Sequence, residues 1–135
     1  MKAFISANFN KRKLLNIELG TIISTLQNFN IEPFVFIDKY KFYNDQEHQM
    51  MKQAMKEIDS CDLLIAETSE KGIGIGVEVG YAKARDKPII YVRKKEAEHS
   101  TTVSGISDFQ IIYSNIDDLK LQLSDIIGKL CTHKI

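Results

Sequence analysis

Apolar residues fall along the chain in two alternating patterns. Short unbroken runs, at Lys2 to Ser6, Pro33 to Ile37, Leu63 to Glu67, Pro88 to Val92 and Phe109 to Tyr113, have the length expected of buried strands. Between them lie longer stretches with helical periodicity. Leu15, Leu19, Ile22, Ile23 and Leu26 recur on one helix face, as do Leu119, Leu123, Ile126, Ile127 and Leu130 near the carboxyl end. Two more helices are predicted, one over Asp45 to Asp59 with Met51, Ala54, Met55 and Ile58 inward, the other over Gly76 to Arg85.

Strands alternating with helices specify a parallel sheet covered on both faces, because each right-handed crossover lays a helix across it. The predicted fold is α/β, a flavodoxin-like, doubly wound, five-stranded parallel sheet of order 2-1-3-4-5 in one domain over residues 1–135. In that order a ligand crevice opens beyond the carboxyl ends of strands one and three. There Ser6-Ala7-Asn8-Phe9-Asn10 faces the segment from Glu67 to Gly76.

Composition narrows the function. Lys plus Arg and Asp plus Glu number 18 each, so no global field favours polymeric nucleic acid or an anionic membrane. No apolar run nears the roughly 18 residues of a membrane span. Cys61 and Cys131 lack metal-ligand spacing and no leader pattern opens the chain, so a reduced, cytoplasmic protein without a disulfide is expected. His48, His99 and His133 form no ligand spacing either, and neither metal nor cofactor is implied.

The chemical signal is the run Gly72-Ile73-Gly74-Ile75-Gly76-Val77-Glu78-Val79-Gly80-Tyr81-Ala82. Gly72, Gly74 and Gly76 allow close approach of backbone to a ligand. The run is not the dinucleotide fingerprint, whose third glycine is replaced by Val77 or Val79. Placed in the first helical turn, Glu78 has two explanations. It complements the helix dipole, or it serves as a carboxylate nucleophile in the crevice, with Gly76, Gly80 and Ala82 leaving space around it.

The stretch from Asp62 to Pro88, with this run at its centre, resembles the core of the nucleoside 2-deoxyribosyltransferase superfamily, especially its 2'-deoxynucleoside 5'-phosphate N-hydrolase branch. Weaker similarity extends across nearly the whole chain. The resemblance implies an N-glycosidase or glycosyltransferase that cleaves the base–sugar bond of a nucleoside or its 5'-monophosphate through a glycosyl-enzyme ester on Glu78. It further implies contacts to sugar and phosphate from Ser6, Asn8 and the glycine turn. Ser100, in a hydroxyl-rich loop, would reach the neighbouring subunit's site, which implies a homo-oligomer with composite sites. The basic clusters Lys11-Arg12-Lys13 and Arg93-Lys94-Lys95 would welcome a phosphate.

Two positions depart from that family. Ala3 stands where an aromatic hydroxyl is frequent, and Ala54 where an aspartate commonly protonates the leaving base. Glu67, Asp38 and Glu47 are the remaining nearby acids. The departure keeps a second reading open, a catalytically impaired nucleotide-binding or sensing module. A phosphorelay receiver domain and a flavodoxin share the topology, but Ser6-Ala7-Asn8, Glu67 and Ser114-Asn115 lack the acids and lysine of the one, and Asn8-Phe9-Asn10-Lys11 lacks the phosphate loop of the other.

Overall fold

The computed structural model describes residues 1–132. Its elements are β1 (Lys2–Ser6), α1 (Asn16–Asn28), β2 (Glu32–Val35), α2 (Phe36–Lys39), α3 (Glu47–Ser60), β3 (Leu63–Glu67), α4 (Ile73–Ala84), β4 (Ile89–Lys94), α5 (Thr101–Gly105), β5 (Phe109–Tyr113) and α6 (Ile116–Thr132). Short 3-10 segments at Phe9–Leu15 and Asn44–Gln46 lead into α1 and α3. The five strands are all parallel, in the predicted order β2-β1-β3-β4-β5.

Side chains alternate across a strand, so each strand feeds two cores. Ala3, Ile5, Leu63, Ile65, Ile90 and Val92 face α1 and α6. The intervening Phe4, Leu64, Ala66, Ile89 and Tyr91 face α3, α4 and α5, where Ala54, Ile58, Ile75, Val79 and Val103 meet them. Among the described residues no helix is long and apolar enough to cross a membrane.

Several elements differ in bounds or facing from the sequence pattern, β4 among them, which runs on to Lys94 where the pattern ends at Val92. β2 ends at Val35, not Ile37, because its pairing with β1 stops at Ile5 opposite Val35. The chain then turns into α2, where Phe36 packs against Phe34 and Tyr40. On α3, Ala54 and Ile58 are buried as predicted, and of the half-buried Met50, Met51 and Met55 it is Met50 that packs against the core. The four-residue spacing from 50 to 54 to 58 selects that face. α4 starts at Ile73, a turn earlier than predicted, because burial of Ile75 fixes its first turn against the core. None of the glycines has a positive φ, so Gly74 and Gly76 are helical residues.

Candidate active site

Ser6 is the last residue of β1 and shares the face of Phe4, so its hydroxyl is directed toward α4. There Ser6 Oγ donates a 2.5 Å hydrogen bond to Glu78 Oε1. Both side chains are buried, Ser6 to 1 % exposure and Glu78 to 4 %. Burial penalises the charged carboxylate and pushes its pKa from 4.5 up to about 7, with the Ser6 hydrogen bond acting in the opposite direction. Because α4 begins at Ile73, Glu78 lies beyond the first turn, which holds no acidic residue. The helix dipole acts mainly within that turn and does not account for the glutamate. Nor do Gly76 and Gly80 make room for it. A residue two positions away lies about 200° round the helix, and a β-carbon on either glycine would meet nothing within 4 Å.

Two adjoining cavities open beyond the carboxyl ends of β1 and β3, one of about 480 Å³ and one of about 170 Å³. Gly72, Ile73 and Ile75 line both; Gly76 and Ser100 line the larger and Asn8 and Gly74 the smaller. Glu78 lines neither. Its carboxylate is closed off on the helix face of Ile75, three residues earlier. Asn8 ties the walls together: Nδ2 donates to the Lys71 carbonyl, and Oδ1 accepts from Asn10 N at 2.9 Å. Asn8 therefore caps the turn after β1. A β-carbon on Gly72 would lie 3.3 Å from Asn8 Nδ2, so the glycine serves close approach of two loops.

Ser100 caps α5, its Oγ accepting from Val103 N at 3.3 Å. Its own N–H donates to the hydroxyl of Tyr91 at 2.9 Å, and that hydroxyl lies 3.4 Å from His99 Nδ1. Tyr91 is fully buried on β4. In the sequence Tyr91 is one residue of an apolar strand run, and only its phenol group among aliphatic neighbours signals a polar end to satisfy.

Other expected groups lie elsewhere. Glu67 shares the face of Leu63 and Ile65, across the sheet from Glu78. Its Oε1 accepts from Ser69 N and its Oε2 from the Tyr113 hydroxyl, each at 2.6 Å, and burial raises its pKa against both bonds. Asp38 pairs with Arg12 at 3.0 Å, and Glu47 is exposed at the start of α3. Ala54 is buried in the apolar cluster, and Ala3 in the opposite one. Of the basic clusters, Arg12 also binds Asn16, Arg93 Nη1 donates to the carbonyls of Lys94, Lys95 and Ala97, and Lys94 pairs with Glu18. Lys11, Lys13 and Lys95 remain exposed. His48 and His99 are exposed, and His133 lies outside the described residues. Cys61 and Cys131 are free thiols.

The nucleoside 2-deoxyribosyltransferase family profile matches residues 12–126. The chain belongs to that family. Membership places it among enzymes of the N-glycosidase and deoxyribosyltransferase kind. A protein of Syntrophotalea carbinolica assigned the name 2'-deoxynucleoside 5'-phosphate N-hydrolase 1 is 28% identical over 136 residues, covering 96% of each chain. Among solved structures, CMP N-glycosidase BcmB of Clostridium botulinum superposes with a TM-score of 0.67 at 23% identity, over 91% of this chain and 98% of that one. A 2-deoxyribosyltransferase of Bacillus psychrosaccharolyticus gives a TM-score of 0.68 at 12% identity, over 91% and 96%. These two share the fold.

Proposed function

We propose that the protein cleaves the base–sugar bond of a nucleoside 5'-monophosphate or nucleoside, with Glu78 as the nucleophile. The observation that carries this reading is the buried Glu78 carboxylate, hydrogen-bonded by Ser6 and three residues along α4 from Ile75, which lines both cavities at the sheet's carboxyl edge. The ionised carboxylate attacks the anomeric carbon while the base departs with the bonding electron pair and takes up a proton from water. The resulting ester is released by water, or by a second base in a transfer reaction. Ser6 holds one carboxylate oxygen and leaves the other to attack. Access requires a rearrangement that opens the carboxylate to the cavities, since Glu78 is buried as it stands.

The same reading gives Ser6, Asn8, Gly72, Gly74, Gly76 and Ser100 to substrate binding, Ser100 lining its own chain's larger cavity and, in an oligomer, approaching a neighbouring subunit's site. It makes the active form a homo-oligomer of one-domain chains in the cytoplasm. Light scattering at micromolar concentration that found only monomer would remove the composite site. A 5'-monophosphate binds better than its nucleoside in this reading, drawn at longer range by exposed Lys11, Lys13 and Lys95, which line neither cavity. Ala54 favours a second reading, a nucleotide-binding module with impaired turnover, because the methyl group there supplies no proton to a leaving base.

One experiment separates the two. Purified protein is incubated with nucleosides and 5'-monophosphates, with and without a free acceptor base, and base release is followed by chromatography. Glu78→Gln is expected to lower release by several orders of magnitude while binding survives. Release indifferent to Glu78→Gln would refute the nucleophile, and binding without any release establishes the module.

A further inference from the structure

Lys71 is the only charged side chain among the described residues that line the larger cavity. Its ammonium is already occupied: Lys71 Nζ lies 2.6 Å from Glu98 Oε1. The two residues come from different loops, and only Lys71 lines the cavity. Lys71 precedes α4, and Glu98 belongs to the loop after β4 that carries Ser100 into the same cavity. Both side chains are largely exposed, Lys71 to 58% and Glu98 to 74%. So open a pair is held only weakly, by at most about fivefold in an equilibrium constant.

We propose that this ion pair is an exchangeable gate: Glu98 occupies Lys71 in the free protein, the 5'-phosphate of a nucleotide takes its place, and Glu98 thereby limits the preference for monophosphates over nucleosides. The inference rests on the reading of this cavity as the nucleotide site. A phosphate brings about two negative charges and several acceptor oxygens where Glu98 brings one charge. The hydroxyls of Ser100 and Thr102, 3.4 Å apart on the same wall, supply donors that a second carboxylate acceptor does not exploit. An uncharged nucleoside cannot displace Glu98 and gains nothing from its removal.

The test is calorimetry at low salt on full-length protein carrying Glu78→Gln, so that no turnover intervenes. The ligands are the four common 2'-deoxynucleoside 5'-monophosphates and their nucleosides. Adding Glu98→Gln is expected to tighten the monophosphates about two- to fivefold and leave the nucleosides unchanged. Lys71→Gln should weaken the monophosphates and abolish most of the gain from Glu98→Gln in the double variant. Glu96→Gln makes the same charge change in the same loop, but at a cavity lined by Ser69 and Lys94, and should leave the monophosphate-to-nucleoside ratio unmoved. A ratio unaffected by Glu98→Gln, or a gain that persists in full without Lys71, would overturn the gate. So would monophosphates that bind none of these proteins. Base release independent of Glu78 refutes the catalytic reading alone, because the affinity ratio is measured without turnover.

Discussion

Replacing Glu78 by glutamine should make the protein more stable at alkaline pH, and by an amount that depends on pH. Below about 4.5 the carboxyl is protonated in folded and unfolded chains alike and its burial carries no charge penalty. As pH rises past 4.5 the unfolded chain releases the proton while the folded chain holds it until about 7, so stability falls through that window and stays lower above it. The difference between 4.5 and about 7 corresponds to about 3 kcal/mol as a ceiling. Glutamine is neutral throughout and its carbonyl still accepts from Ser6. The expected gain at pH 8 is therefore roughly 1 to 3 kcal/mol, or about 3 to 10 °C in Tm for a chain of this size. At pH 5 it should shrink below about 1 kcal/mol. Urea or thermal melts followed by circular dichroism at the two pH values measure it. A glutamate acting on the helix dipole gives the opposite sign, a loss of about 0.3 to 1 kcal/mol in the glutamine variant. That loss, or a gain equal at both pH values, would refute the buried-charge reasoning.

Other substitutions probe the surrounding contacts. In the wild type the acid limb of kcat/KM should rise through about 7 as Glu78 ionises. Ser6→Ala removes the donor that opposes desolvation and should move that limb to higher pH; an unmoved limb assigns it to another group. Tyr91→Phe leaves Ser100 N without its acceptor and should raise KM severalfold with kcat largely kept, at about 1 kcal/mol of stability. An equal fall in kcat with KM unchanged would contradict a role through Ser100. Ala54→Asp places a carboxyl among Phe4, Ala66 and Ile75 and should destabilise the fold by about 2 kcal/mol or more in a urea melt at neutral pH. An unchanged midpoint would mean that water reaches this position.

The strands and their order were legible because runs such as Leu63 to Glu67 are too short for helices and too apolar for loops. The crevice followed from that order, and it brought Asn8, Gly72, Gly74, Gly76 and Ser100 to two adjoining cavities. What escaped was the state of the glycines. Their spacing reads as a turn, but burial of Ile75 outweighs their poor helix propensity and moves the start of α4 back to Ile73. With it went the explanation of Glu78 as a first-turn acid. The face of Glu67 is legible as well. Counting alternate residues from Leu63 sends it across the sheet from a glutamate reached through Ser6. Tyr91 was not readable, since a tyrosine within an apolar strand gives no sign of where its hydroxyl ends.

The Ser6 to Glu78 hydrogen bond spans 72 positions of sequence. It joins the end of the first strand to a helix that follows the third, so it forms only after a long loop has closed and β1 has found β3. No nascent fragment ending before α4 can therefore present the crevice. A ligand that fits there would act as a clamp on the central strand pair, slowing its opening to hydrogen exchange before any distant segment is protected. Protease nicking between β1 and β3 would then be resisted in proportion to ligand concentration, even where the cut lies far from the crevice itself.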